Sequence, residues 1–168
     1  MKLQPLGFAA AALAPRADGV QVLHPGDVAL AERGERLETL LGSCVAVVLT
    51  DPRRTVGAMC HIVHSKPPAS GATVRAAYAD VALERMYALL RSRGIEPRLC
   101  EAYVYGGGNM FPALFDAGHV GDDNAQWVLQ ALAHDGVPVL FHDIGGNTYR
   151  RLSWVVGPEL PQVTAVAV

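Results

Sequence analysis

The chain has 168 residues, 51% of them hydrophobic and 18% charged, with 14 basic against 16 acidic side chains. That is one domain's worth of sequence with enough apolar material for a real core, which excludes a disordered protein, and the balanced charge excludes an electrostatic nucleic-acid binder. No apolar run approaches the ~20 residues of a bilayer span, and three cysteines are a poor basis for a secreted disulfide scaffold, so the expectation is a globular protein of the cytoplasm.

Lys2 followed by the apolar stretch 6–13 has the outline of a secretory signal, but the stretch is mostly Ala and is interrupted by Pro5 and Gly7. Residues 1–19 read as a loose N-terminal extension, and 20–168 as a single domain. Val20-Gln21-Val22-Leu23 reads as a short strand ended by the turn His24-Pro25-Gly26-Asp27. Residues 37–50 are rich in Leu and Val and read as one strand, irregular only at Gly42-Ser43. Asp51-Pro52-Arg53-Arg54 has the Pro of a type I turn, and residues 55–64 read as the returning strand of a hairpin.

The Pro- and Gly-bearing stretch 65–73 is a loop. Tyr78, Val81, Ala82, Met86, Leu89 and Leu90 recur at helical spacing, closed by Gly94. Residues 99–105 form a strand running into Gly106-Gly107-Gly108. Asp122 or Asp123 caps a second helix whose inner face is Ala125, Val128, Leu129 and Leu132, stopped at Gly136. Residues 137–142, 149–156 and 162–168 supply further strands. The whole is an α/β domain with a mostly antiparallel sheet and helices packed on it.

Chemistry concentrates in the hairpin. With residues 51–54 as a four-residue loop, Thr50 faces Thr55 and the same register sets Cys44 opposite His61, about 4.5–5.5 Å apart at Cβ. A free thiol is mostly protonated at neutral pH, and a neighbouring imidazole makes it a thiolate. Gly42-Ser43 lets the backbone turn and direct N–H groups at a developing oxyanion. The same residues also fit a buried strand cysteine beside a core histidine, and the sequence does not separate the two.

Cys60 and His64 sit near this pair and suggest a zinc site. Period two puts them on the face opposite His61, so no metal centre is expected, and Cys60 and Cys100 read as packing residues. Gly106-Gly107-Gly108 and Gly145-Gly146 match neither a phosphate loop nor a dinucleotide fingerprint; they read as tight turns or close backbone approaches. Tyr149-Arg150-Arg151 reads as strand with exposed Arg rather than a nucleic-acid patch.

Thr39-Leu40-Leu41-Gly42-Ser43-Cys44-Val45 followed by Gly57-Ala58-Met59-Cys60-His61 resembles the chemoreceptor glutamine deamidase family, CheD. Gly106-Gly107-Gly108-Asn109-Met110-Phe111, Gly121-Asp122-Asp123-Asn124-Ala125 and Asp143-Ile144-Gly145-Gly146-Asn147-Thr148-Tyr149-Arg150 are similar to its later motifs, in the same order. The resemblance implies an α/β/β layered sandwich similar to the catalytic domain of cytotoxic necrotizing factor toxins. It implies a protein-glutamine glutaminase acting on receptor cytoplasmic helices, releasing ammonia without a cofactor; some members also demethylate receptor glutamyl esters, and some bind the CheC phosphatase.

The family's nucleophile corresponds to Cys44, its histidine to His61 and its upstream threonine to Thr39. Thr39 faces the wrong way in a regular strand unless Gly42-Ser43 forms a bulge. Gly42, Ser43, Gly106, Gly107 and Gly108, with the 65–73 loop, are the expected low-profile surfaces flanking substrate. The competing readings are a weakly catalytic or non-catalytic binding module of the chemotaxis network, partnered by a CheC-type protein, and a different Cys–His hydrolase such as a peptidase.

Overall fold

The computed structural model describes residues 19–65, 76–116 and 118–166; residues 1–18 of the expected extension, and the 65–73 loop beyond Ser65, lie outside them. The elements run β1 (Val20–Leu23), β2 (Val28–Glu32), β3 (Arg36–Leu41), β4 (Val45–Thr50), β5 (Val56–Ile62), α1 (Ala79–Ser92), β6 (Glu101–Gly106), α2 (Val120–His134), β7 (Val139–Ile144), β8 (Tyr149–Val155) and β9 (Gln162–Val166), with a 3-10 turn at Pro97–Leu99. They build two sheets, ordered β1-β3-β8-β9 and β2-β5-β4-β6-β7. Five of the neighbouring pairs are antiparallel; β1–β3 and β6–β7 are parallel.

Three layers result, because the central strands are apolar on both faces. β4 and β5 are buried along their whole length. One face of the five-stranded sheet (Val45, Val47, Leu49, Ala58, Cys60, Ile62) packs under α1 and α2 through Leu83, Met86, Leu90, Val128 and Leu132. The other face (Ala46, Val48, Met59, Tyr103, Tyr105) meets Leu23, Leu37, Leu41, Leu152 and Trp154 of the second sheet. Gly57 makes room for that contact: a Cβ there would lie 2.2 Å from the Trp154 ring. The architecture is the expected α/β/β sandwich.

Several local expectations are corrected. Residues 37–50 are two strands in different sheets, with Gly42-Ser43-Cys44 as the crossing between them. β2 is an additional strand: Ala29, Leu30 and Ala31 lack the β-branched signature, and the strand owes its existence to pairing with β5. The hairpin register is displaced by two residues, so Thr50 pairs with Gly57 and Ala46 with His61. The reason is Asp51, whose carboxylate accepts from the Thr55 and Val56 N–H groups at 2.8 and 3.0 Å and so widens the loop.

The cap of α2 is His119 rather than an aspartate. Its Nδ1 accepts the Asp122 N–H at 3.3 Å, and Asp122 and Asp123 occupy the first turn, where negative charge opposes the helix dipole. α1 ends as expected, before Gly94 at φ +72°. No helix among the described residues is long and apolar enough to cross a membrane.

Candidate active site

The crossing from β3 to β4 is held at three consecutive carbonyls. Gly42 O accepts from Gly108 N–H at 2.9 Å, Ser43 O from the Asn124 side-chain amide at 3.3 Å, and Cys44 O from Gly107 N–H at 2.9 Å. The glycines are required by the closeness of these backbones. A Cβ on Gly106, at φ +109°, would lie 2.2 Å from Cys44 O, and one on Gly107, at φ +66°, 2.8 Å from Gly121 O. Residues 106–108 are buried and support the crossing from beneath, whereas Gly42, Ser43 and Cys44 are partly exposed. Met110 and Tyr149 flank Gly42, whose missing Cβ would lie 3.1 and 3.0 Å from them.

His61 is held from the other side by the turn after β1. Its N–H donates to Asp27 O at 3.0 Å, and its carbonyl accepts from Gly26 N–H at 2.9 Å. The side chain, 2% exposed, points between the sheets, where its Nδ1 lies 2.8 Å from the Thr39 hydroxyl. That hydroxyl is also 2.8 Å from Leu23 O. A carbonyl only accepts, so the single hydroxyl proton goes to Leu23 and the Thr39 oxygen accepts from His61. Nδ1 therefore carries the ring proton, and Nε2 presents a bare lone pair; it has no hydrogen-bond partner among the described residues.

Thr39 reaches His61 without a bulge, because it belongs to β3 of the facing sheet. Leu37, Thr39 and Leu41 alternate inward there, while Arg36 and Leu40 face out.

Cys44 precedes the first ladder pair, Val45 with Ile62. It lies diagonal to His61 rather than directly opposite. A two-residue slip preserves the face of a strand, so Cys44 still packs with Ala46 on the His61 side. No hydrogen bond joins Cys44 to His61 among the described residues. Burial raises the thiol above its ordinary pKa. Burial also drives His61 down to about 4, with the Asp27 carboxylate only partly opposing. The resting pair is a neutral thiol and a neutral imidazole, not the thiolate expected from adjacency alone, because both groups are desolvated.

Cys60 is fully buried on the opposite face, under the helices, and its thiol is pushed up to about 12 by burial. His64 is exposed and stacks on Tyr78 at 5.2 Å. Neither shares the face of Cys44 and His61.

Two further residues organise the site, and the sequence assigned neither of them a role there. Asn124, 1% exposed, donates to Ser43 O and, at 2.9 Å, to Val63 O. Arg150 is buried where exposure was expected; only Arg151 is exposed. The Arg150 guanidinium bonds Asp143 at 3.1 Å, Gly145 O at 2.6 Å and Gly106 O at 3.4 Å, tying β8 to the strand ends beneath the crossing. Both lie in polar stretches, Asp122-Asp123-Asn124 and Asn147-Thr148-Tyr149-Arg150-Arg151, where nothing local marks them as buried; the one signal was their place in the family-like motifs 121–125 and 143–150.

The family model CheD, described as CheD chemotactic sensory transduction, matches residues 64–157. The chain is 36% identical over 137 residues to a probable chemoreceptor glutamine deamidase CheD of Albidiferax ferrireducens, covering 77% of this chain and 78% of that one. It is 33% identical over 134 residues to the protein so named in Pseudomonas syringae pv. syringae, covering 78% and 76%. It is 33% identical over 130 residues to one in Geobacter sulfurreducens, covering 77% and 79%. Relatives this similar over most of their length, together with the family match, place this chain in the CheD family.

Proposed function

We propose that the protein is a chemoreceptor glutamine deamidase, a cysteine amidohydrolase that converts side-chain amides of receptor glutamines to glutamate and ammonia in the cytoplasm. The reading is supported by the names of the relatives, and one observation carries its mechanism. The Leu23–Thr39–His61 hydrogen-bond chain leaves Nε2 as a bare base on the face of the only partly exposed cysteine.

In this mechanism the Cys44 thiol passes its proton to His61 Nε2 as sulfur attacks the carboxamide carbon. The carbonyl oxygen becomes an oxyanion, received by the Cys44 N–H at the partly exposed crossing. Imidazolium then protonates the leaving nitrogen, the C–N bond breaks, and ammonia departs from a thioester. Water attacks the thioester with His61 Nε2 taking its proton; the C–S bond breaks, and the thiol returns with a receptor glutamate. A low imidazole pKa suits the step that releases ammonia, because a weakly basic imidazole is a strong acid once protonated. Thr39 keeps the ring in the required tautomer, and no cofactor enters. Gly42 and Ser43 are the proposed substrate-side surface. The family resemblance extends the proposal to a CheC-type phosphatase as a second partner.

The test is incubation with the purified cytoplasmic fragment of a methyl-accepting chemotaxis protein. Ammonia should appear in step with a Gln-to-Glu mass change at particular positions. A binding module would bind the fragment without ammonia, and a peptidase would shorten it; either result overturns the proposal.

A further inference from the structure

We infer that Asn124 is a positioning residue for the reaction: through the Ser43 carbonyl it aims the Cys44 N–H at the oxyanion. The inference rests on the deamidase reading. Of the three carbonyls that fix the β3–β4 crossing, Gly42 O and Cys44 O are held by backbone N–H groups of the glycine segment. Ser43 O is held by a side chain, the Asn124 amide at 3.3 Å, whose second proton goes to Val63 O at 2.9 Å. Both protons of one buried amide are thus committed, one to the residue before the nucleophile and one two residues beyond His61.

The geometry converts this into a catalytic consequence. The Ser43–Cys44 peptide is planar and trans, since the described residues contain no cis bond, so its C=O and N–H point in opposite directions. Holding Ser43 O toward α2 turns the Cys44 N–H away from the helix. The amide reaches Ser43 because α2 lies flush on the glycine segment. A Cβ on Gly121 would lie 2.5 Å from Gly107 O, and one on Gly107 2.8 Å from Gly121 O, so neither position leaves room for a side chain that would lift the helix.

Asn124→Asp keeps the shape and removes both donors; Asn124→Ala removes them without adding charge. With the receptor fragment as substrate, both should lower kcat by at least about tenfold, up to the about 10²–10³ known for outright loss of an oxyanion donor. KM should stay within about threefold, since the amide touches no substrate. Alkylation of Cys44 by iodoacetamide is a displacement without an oxyanion, so its rate should stay within about threefold of wild type. Thermal melts identify a variant that is merely unfolded, and the Cys44 amide resonance in a ¹⁵N-labelled Asn124→Ala protein should shift. Unchanged kcat in the folded variants overturns the inference, as does alkylation falling in parallel with kcat or a Cys44 amide resonance that does not move. A wild-type protein that releases no ammonia overturns the deamidase reading instead, and the role of Asn124 in catalysis with it.

Discussion

Replacing Thr39 with valine removes one hydroxyl and leaves a side chain of nearly the same shape. The hydroxyl accepts from His61 Nδ1 and donates to Leu23 O, each at 2.8 Å, in a site 3% exposed. Valine therefore orphans a buried carbonyl and a buried ring N–H, at about 1–3 kcal/mol each, so a loss of roughly 2–6 kcal/mol in folding stability is expected. The ring can then move its proton to Nε2, where it no longer accepts from the thiol. Losing about 1.5–3 kcal/mol of bias toward the productive tautomer and orientation corresponds to a fall in kcat of roughly 10–100-fold. Urea titration reads the first effect, and ammonia release at saturating receptor fragment reads the second. Thr39→Ser, which restores the hydroxyl, should recover most of kcat. Wild-type kcat in a folded Thr39→Val protein would refute the tautomer argument, and so would a Thr39→Ser variant as slow as Thr39→Val.

The other expectations concern the thiols, acid and the glycine segment. Iodoacetamide should label Cys44 first, since Cys60 and Cys100 are buried, and its rate should climb with pH rather than level off near neutrality, because burial raises the Cys44 thiol; a plateau below neutral pH would indicate a resting thiolate. Cys60→Ala should keep full ammonia release and lose about 1 kcal/mol of packing, measured by urea titration. His61 has a pKa of about 4 when folded against 6.5 ordinarily. Between those values the unfolded chain binds the extra proton, so this group's contribution to stability is complete above pH 6.5. It declines by about 3 kcal/mol as pH falls to 4, and a His61→Asn protein should lack that part of the acid limb in denaturant titrations. Gly107→Leu should destabilise the fold by at least about 1–3 kcal/mol, since it combines φ +66° with a Cβ 2.8 Å from Gly121 O; a wild-type melting temperature would show that α2 can retreat freely.

What the sequence made legible followed from periodicity, and what it hid depended on tertiary contact. The separation of Cys44 and His61 from Cys60 survived a two-residue register error because parity decides the face of a strand. The inner face of α1 was readable from Ala82, Met86, Leu89 and Leu90, all buried. The break after Leu41 was not, because Leu and Val continue on both sides of Gly42 and local propensity does not say which sheet a strand joins. Thr39 accordingly looked misdirected in one long strand, yet meets His61 from the facing sheet. Asn124 and Arg150 act on backbone carbonyls 81 and 44 residues away in sequence, a separation at which no local pattern identifies the partner.

The most direct test of the central claim is peptide mapping of the receptor fragment after incubation with equal amounts of wild type, Cys44→Ala and Cys60→Ala, all shown to be folded. Glutamine-to-glutamate conversion is expected from wild type and Cys60→Ala at similar rates, and none above background from Cys44→Ala. Conversion by Cys44→Ala at the wild-type rate, or a Cys60→Ala protein that is folded and inactive, would contradict that claim.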